Sequence, residues 1–169
     1  RHGFSDEAGT AEAWIAERSN GHVWGIEHYT SVQRLGCSVR RGVIEYTTVV
    51  EGETNLLTAP MFTSGWHLVS ATWDAKAGKK QILVDGQVVA EGPYRKTDCA
   101  PAGAVMLGSM AWQELDEFRL SKVVRDYAAG APTAAFEPDG DTTLLLHFDL
   151  PGGPRWEGHL FDGRMPDAN

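Results

Sequence analysis

The sequence predicts an all-β protein, an antiparallel β-sandwich, and three of its features carry that prediction. About ten short runs rich in β-branched, aromatic or alternating apolar residues follow one another closely. Turn residues such as Asn-Gly and Asp-Gly separate these runs. A helical pattern is found only at residues 122–128, so we expect at most one short helix. The predicted strands cover residues 10–17, 23–29, 34–39, 43–50, 66–73, 81–84, 87–90, 104–107, 114–121 and 142–148.

Alternation assigns the side chains of the early and central strands to two faces. In residues 10–17, Ala11, Ala13 and Ile15 share one face, and Trp14 lies on the other. The strand at residues 66–73 alternates in the same way. One of its faces mixes polar and apolar side chains: Trp66, Leu68, Ser70 and Thr72. We expect one face of each strand to pack in the sandwich core.

Asp85 and Gly86 predict a tight hairpin between residues 81–84 and 87–90. An Asp-Gly pair between two alternating apolar runs is a strong hairpin signal, because a type I′ turn needs positive φ at both central residues. We therefore expect positive φ at Gly86.

The last third of the chain holds a crossover and one more strand. Residues 127–141 are rich in Ala, Gly and Pro, which predicts an extended connection. Three consecutive leucines in residues 142–149 predict a central strand, buried on both faces, that pairs near residues 10–17 and closes the sheet. Residues 1–149 then form a single sandwich domain, and residues 150–169 form a Gly- and Pro-rich tail.

Three motifs in order resemble the laminin-G-like branch of the concanavalin A-like lectin/glucanase superfamily. They are GTAEAWI at residues 9–15, GWHLVSATWD at 65–74 leading to the Asp-Gly turn, and LDEFRLS at 115–121. The resemblance implies a jelly-roll sandwich. It also implies binding of glycans or proteins, bound calcium in several members, and a place in secreted or extracellular surface proteins.

The order of the motifs departs from that family at one point. In members of that family, a strand like LLLHFD often opens the domain. In this chain it comes late, at residues 144–149. Either the chain is cut from a tandem array, or the late strand takes the place of a missing first strand. The chain begins at Arg1, as a processed or trimmed product would.

The net charge and the hydropathy of the chain argue against some classes of binding partner. The formal net charge is −8, which argues against nucleic acid and against anionic membranes. No apolar run approaches the length of a membrane span, so we expect no membrane insertion. Cys37 and Cys99 either form one disulfide, as in an oxidising compartment, or remain two buried thiols.

Aromatic side chains are the candidate sugar platforms, because the apolar faces of pyranose rings stack on them. Trp14, Trp66 and Trp73 fall within the three motifs and are expected in the core. The remaining aromatic residues are the candidate ligand-binding residues: Trp112, Trp24, Tyr94, Tyr29 and Trp156.

Carboxylates supply the candidate metal and catalytic groups. Calcium needs several oxygen ligands, and the candidates are Asp74, Asp116 and Asp149, with Glu12 as a weaker fourth. Glu114 and Asp116 share a strand face, as paired carboxylates of glucanases do. The second catalytic glutamate of that pattern should lie near 118 or 119, where the chain has Phe118 and Arg119. We therefore expect no enzyme.

The leading hypothesis is a non-catalytic, secreted or surface-exposed module that binds a glycan or polysaccharide. The alternative is a protein-interaction or assembly module of a larger extracellular structure, with protein partners or self-association. A glucanase-type glycoside hydrolase is the weaker third hypothesis.

Overall fold

The computed structural model of the chain describes residues 4–17, 19–27, 33–97, 104–109 and 114–148. These residues form eleven strands and no helix. The strands are β1 (Ala8–Ala16), β2 (Gly21–Glu27), β3 (Gln33–Arg40), β4 (Val43–Val50), β5 (Glu53–Pro60), β6 (Trp66–Asp74), β7 (Lys79–Val84), β8 (Gln87–Pro93), β9 (Ala104–Ser109), β10 (Leu115–Ser121) and β11 (Thr142–Leu146).

The strands form two antiparallel sheets, so the predicted β-sandwich is confirmed. The six-stranded sheet has the order β11-β10-β1-β6-β7-β8, and the five-stranded sheet has the order β5-β4-β3-β2-β9. The faces predicted for β1 are also correct, because Ala11, Ala13 and Ile15 all lie in the core between the sheets. Among the described residues, no helix is long and apolar enough to cross a membrane.

Aromatic rings fill the centre of this core. Trp24 lies between Tyr46 and Trp73, with ring centroids 6.1 Å and 6.5 Å away. The indole nitrogen of Trp73 donates a hydrogen bond to the Ser5 carbonyl oxygen at 2.9 Å, so the one polar group of this buried ring is satisfied.

Three hairpins close on a two-residue turn that ends in glycine. The turn residues have positive φ at both positions: Arg41-Gly42 (51° and 76°), Glu51-Gly52 (52° and 82°) and Asp85-Gly86 (50° and 78°). The predicted turn at Asp85 and Gly86 is thus confirmed. The Glu51-Gly52 turn leads into β5, a strand that the sequence did not predict. Most of the side chains of β5 are exposed, so it lacks the apolar alternation that identifies a half-buried strand.

Residues 122–141, called the strap below, cross the outer face of the six-stranded sheet. Tyr127 and Phe136 of the strap pack on Leu68 and Leu83 and form a second, smaller core. The six-stranded sheet is therefore covered on both faces along part of its surface.

The helix considered for residues 122–128 is absent from the strap. Thr10 on β1 holds this segment through its backbone: Thr10 Oγ1 donates to the Val123 carbonyl oxygen at 2.9 Å and accepts from the Arg125 N–H at 2.8 Å. The Val123 carbonyl and the Arg125 N–H are therefore hydrogen-bonded to a side chain of β1. This explains why a short run with a weak helical pattern stays extended.

The strand at residues 142–146 belongs to the sandwich but is not central. β11 pairs with β10 at the edge of the six-stranded sheet, and β10 separates it from β1. Leu144 and Leu146 pack on the main core, and Leu145 packs on the second core, yet all three are only half-buried. The prediction of a central strand was wrong: β11 has a strand neighbour on one edge only, and its leucines contact apolar residues on both faces because the strap packs over the outer face.

Candidate functional site

An open groove lies on the outer face of the six-stranded sheet, at the end where β1 and β10 meet the strap. Its volume is about 430 Å³, and it is lined by Trp14, Trp66, Asp116, Glu117, Thr133, Ala134 and Ala135. The first four residues come from three neighbouring strands, and the last three come from the strap. The groove therefore has a floor of regular sheet and one wall of irregular backbone.

Strand register places three of these side chains in a row. Trp14 on β1 pairs with Asp116 on β10 on one side and with Leu68 on β6 on the other. Trp66 lies two residues before Leu68, so it is the diagonal neighbour of Trp14 on the same face. Trp66 is 47% exposed, whereas Trp14 is half-buried. The result is an open indole face, a partly covered indole and a carboxylate across three strands.

A β-bulge brings a second carboxylate to the groove. The register between β1 and β10 shifts between the Trp14–Asp116 and Glu12–Arg119 pairs, and Glu117 has a left-handed φ of 52°. Phe118 then points into the main core and Arg119 points outward again. The Glu117 N–H donates to Asp116 Oδ1 at 2.9 Å. Asp116 and Glu117, although adjacent in sequence, therefore both line the groove.

Glu117 is fixed by two partners and is 6% exposed. Its Oε2 accepts a hydrogen bond from the Phe136 N–H at 2.8 Å, which ties the strap to β10. Its Oε1 lies 2.7 Å from Nδ1 of His147, just after β11. Glu117 therefore joins β10, the strap and the end of β11, and the more accessible carboxylate of the groove is that of Asp116.

A buried polar cluster lies beneath the strap, next to the groove. Glu12 is buried, and its two oxygens take separate partners: Arg119 Nε at 2.7 Å and the Tyr127 hydroxyl at 2.6 Å. Burial and the negative charge of Glu12 raise the pKa of Tyr127. The Arg119 guanidinium also lies 4.2 Å from the centroid of the Phe136 ring. These contacts hold Tyr127 and Phe136 of the strap against the sheet.

The far end of the strap is anchored by an ion pair. Arg125 contacts both carboxylate oxygens of Asp139 and also donates to Ser121 Oγ. The hydrogen bonds from Arg125 lower the pKa of Asp139. Asp139 in turn accepts from the backbone N–H groups of Asp141 and Thr142, which start the turn into β11. The strap is thus held at several points along its length.

The aromatic residues predicted to bind a ligand do not form this site. Trp24 is 1% exposed in the centre of the main core, and Tyr94 is 3% exposed with its hydroxyl donating to the Asp6 carbonyl oxygen. Both predictions were wrong, since a ligand cannot reach either ring. Tyr29, Trp112 and Trp156 lie outside the described residues.

Both tryptophans of the groove were assigned to the core from their motifs. For Trp66, which is 47% exposed, that assignment was wrong, whereas Trp14 is half-buried and packs against the second core rather than the main one. Trp73 is a core residue as expected. A signal was available in the alternation itself. Once Ala11, Ala13 and Ile15 face the core, Trp14 faces outward, and Trp66 shares its face with Ser70 and Thr72.

The predicted metal ligands are not brought together. Asp74 pairs with Ala8 and Asp116 with Trp14, which lie six positions apart on β1, so about 20 Å separates the two aspartates. Asp74 Oδ1 instead accepts from the Ala77 N–H in a turn. Within the described ranges no cluster of three His, Cys, Asp or Glu side chains could hold a metal. Asp149 lies outside them, so calcium stays a prediction.

The structure describes one of the two cysteines. Cys37 is a free thiol, buried in the main core on β3. Burial raises its pKa to about 12, so the thiol is neutral and unreactive at ordinary pH. Cys99 lies outside the described residues, so the disulfide and the pair of buried thiols both stay predictions.

Comparisons with known proteins identify the fold and not a family. No model of a known protein family matches the chain. A GMP reductase from Streptococcus pyogenes serotype M5 (strain Manfredo) is 40% identical over 48 residues, which cover 28% of this chain and only 15% of that protein. A match of that extent assigns no family.

Solved structures match over most of the chain. A candidate carbohydrate-binding protein from Bacteroides ovatus ATCC 8483 superposes with a TM-score of 0.68 at 19% identity, over 87% of this chain and 47% of that one. The CBM40 of the Ruminococcus gnavus IT-sialidase, bound to α2,3-sialyllactose, gives 0.50 at 16% identity, over 62% and 64%. A heptameric SAP-like pentraxin from Limulus polyphemus gives 0.50 at 10% identity, over 70% and 65%.

These similarities show a shared β-sandwich fold. The chain spans about half the length of the Bacteroides ovatus protein. Together, fold and site define the chain as an antiparallel β-sandwich that carries an open aromatic and acidic groove on the outer face of its larger sheet. Membership of the laminin-G-like branch stays a prediction.

Proposed function

We propose that this chain is a non-catalytic carbohydrate-binding module and that the groove is its ligand site. The observation that carries the proposal is the row formed by the exposed indole of Trp66, the half-buried indole of Trp14 and the carboxylate of Asp116. Because the groove is open, the proposal covers both a short glycan and a polysaccharide chain.

The chemistry of the row matches that of a sugar. A pyranose ring has apolar C–H faces that stack on an indole and hydroxyl groups that need acceptors. Trp66 offers an accessible ring, and Asp116 offers carboxylate oxygens two strands away. The strap backbone at 133–135 supplies a wall of small side chains that leaves room for a ligand.

The structural neighbours give independent support at the level of the fold. One is a candidate carbohydrate-binding protein, and another is a carbohydrate-binding module with a sialylated ligand. Because folds host many functions, this analogy raises the expectation of sugar binding without locating the site. It also supports the proposal of a secreted or surface-exposed protein.

The decisive experiment compares two exposed apolar residues on different sheets. Trp66→Ala should lower glycan affinity by about tenfold or more, because it removes the accessible ring. Leu56→Ala on β5 is the matched control, since Leu56 is 52% exposed and belongs to the other sheet. Binding is measured by a glycan array and by calorimetry against the best array ligand. The proposal fails if the wild-type chain binds no glycan at millimolar concentration, or if both variants bind equally well.

A protein-interaction module is the second candidate, and it rests on a different surface. Val88 and Val89 are exposed on β8, which ends the six-stranded sheet without a further strand partner in the described part of the chain. Such an edge can pair with a second copy of the chain. A mass that rises with concentration in sedimentation, and that Val88→Lys abolishes, would favour this candidate.

Hydrolysis is disfavoured by the same geometry that forms the groove. The glucanase pattern requires a second glutamate near position 118 or 119. Here Phe118 lies in the main core, and Arg119 pairs with Glu12. Glu117 does line the groove, but the strap and His147 occupy both of its oxygens. These groups therefore do not provide a proton donor and a nucleophile on the two sides of a glycosidic bond.

A further inference from the structure

The groove carries charge of one sign. The described residues that line it include two carboxylates, those of Asp116 and Glu117, and no lysine or arginine. Arg119 on β10, beneath the strap, is buried and paired with Glu12. Glu114 begins the approach to β10 beside the groove, where its carbonyl oxygen accepts from the Ala16 N–H. With a net charge of −8 for the whole chain, the potential at the groove favours a cation.

We propose that the natural ligand is an amino sugar polymer whose free amines are protonated, such as β-1,4-linked glucosamine. This inference rests on the proposed carbohydrate-binding function and names the chemical class of its ligand. A sugar ring stacks on Trp66, and the ammonium group of that ring or the next lies between Asp116 and the face of Trp14.

Two kinds of side chain in the groove, a carboxylate and indole rings, contribute to recognition of the ammonium group. Asp116 Oδ1 already accepts the Glu117 N–H, and its second oxygen accepts no hydrogen bond from the described residues. That oxygen is available for a charge-assisted hydrogen bond, which is stronger than one between neutral groups. The indole faces of Trp14 and Trp66 attract a cation through their ring quadrupoles, and tryptophan is the best aromatic residue for this.

The same groups disfavour other ligand classes. An acidic sugar would place its carboxylate against Asp116 and Glu117, and like charges at short range repel. A bare metal ion would require several oxygen ligands, and the described residues contain no cluster of three His, Cys, Asp or Glu side chains that could hold one. A neutral sugar would gain the stacking on Trp66 but not the charge-assisted bond.

The test uses three oligosaccharides with the full-length chain. The glucosamine hexamer and the N-acetylglucosamine hexamer share length and linkage and differ in the amine, and α2,3-sialyllactose carries the opposite charge. Calorimetry at low salt should show at least about tenfold tighter binding of the glucosamine hexamer than of its acetylated form. High salt should reduce that preference, because exposed charges are screened.

A charge-neutral variant assigns the preference to a residue. Asp116→Asn keeps the shape of the side chain and an acceptor for the Glu117 N–H, and it should bring the affinity ratio of the two hexamers close to one. Glu53→Gln on β5 removes one negative charge from an exposed position on the other sheet and should leave the ratio as in the wild type. Melting temperatures of both variants establish that they are folded.

The outcomes separate this inference from the function on which it rests. Equal or tighter binding of the acetylated hexamer or of sialyllactose overturns the preference for amines but leaves carbohydrate binding intact. A preference for the glucosamine hexamer that survives Asp116→Asn unchanged overturns the role of the groove. Absence of binding to these oligosaccharides and to a glycan array overturns both proposals.

Discussion

Lys80 is a charged side chain buried between the two sheets. It is 0% exposed, and its ammonium group donates to Thr48 Oγ1 at 3.0 Å and to the Asn55 carbonyl oxygen at 2.8 Å. It also lies 4.9 Å from the centroid of the Tyr46 ring. All of these partners are uncharged, so burial dominates and lowers the pKa of Lys80 to about 8.

This lowered pKa makes stability depend on pH in the alkaline range. The unfolded chain holds the Lys80 proton up to about pH 10.5, whereas the folded chain releases it near pH 8. Between these values the unfolded state binds more protons, so the contribution of Lys80 to the free energy of unfolding rises with pH, by roughly 3 kcal/mol in all. Urea unfolding from pH 7 to 10.5 measures it.

Lys80→Met provides the comparison, because other lysines and tyrosines also titrate in this range. As the pH rises, the free energy of unfolding of the wild type should increase relative to that of Lys80→Met. Parallel pH profiles for the two proteins would show that Lys80 keeps an ordinary pKa in the folded state.

The residues of the groove illustrate how far sequence reasoning reaches at this scale. Alternation along β1 correctly assigned Ala11, Ala13 and Ile15 to the core, and the same parity points Trp14 outward. The motif resemblance overrode the parity and placed Trp14 and Trp66 inside. The contribution of Glu117 was not predictable from alternation, because a left-handed residue in a bulge breaks the period of two.

At the level of elements, the β7–β8 hairpin connects the sheet to the strap. Asp85 Oδ1 accepts from the Leu68 N–H at 3.0 Å, and Oδ2 lies 2.6 Å from Nδ1 of His67. Burial opposes the charged form of His67, but the hydrogen bonds to Asp85 and to the Ser64 carbonyl oxygen outweigh it and raise the pKa of His67. The adjacent Gly86 faces Tyr127 and Ala131 of the strap.

Gly86→Val should destabilise the chain for two reasons. The turn requires a φ of 78° at this position, which a β-branched residue adopts only under strain. A Cβ atom would also lie 2.9 Å from Tyr127 Cβ, which is too close. We expect a loss of on the order of 1–3 kcal/mol or more in the free energy of unfolding.

Gly42→Val separates the two causes. Gly42 has a φ of 76° in an equivalent turn, and a Cβ atom there meets nothing within 4 Å. Thermal melting of both variants should show a clearly lower melting temperature for Gly86→Val. Equal losses would mean that the contact between the hairpin and the strap contributes nothing to stability.

Besides the position of β11, the sequence misjudged two elements, β5 and residues 122–128. β5 ends the five-stranded sheet and exposes most of its side chains, so no apolar face signals it. The weak helical pattern at 122–128 yields to the hydrogen bonds of Thr10 with the strap backbone. Both outcomes depend on distant partners in the tertiary structure, which local sequence patterns do not encode.

For the whole molecule, we expect the sandwich to depend on β11, which pairs with β10 at the edge of the larger sheet. Its removal would expose the edge of β10, uncover apolar surface on two cores and separate Glu117 from His147. Each half-buried leucine of this strand contributes roughly 1 kcal/mol, against a total stability of about 5–15 kcal/mol for a domain.

A chain that ends at Gly140 should therefore be insoluble or unfolded, while one that ends at Gly153 should melt close to the full chain. Circular dichroism and the soluble fraction after expression measure this. A folded, monomeric product ending at Gly140 would contradict it and would show that β11 is a dispensable addition to the sheet.

The groove is formed partly by strands and partly by the strap. The residues that set its width and charge on the strap side can therefore change without a change in the sheet. Thr133, Ala134 and Ala135 form one wall without belonging to any strand, and on either side of them the strap is held through Phe136 and Tyr127. Larger or charged side chains at these three positions would narrow or recharge the groove while the sheet stays unchanged. Under the proposed function, substitutions at these three neighbouring positions would change which ligand the groove accepts, so a library for altered ligand choice should begin there.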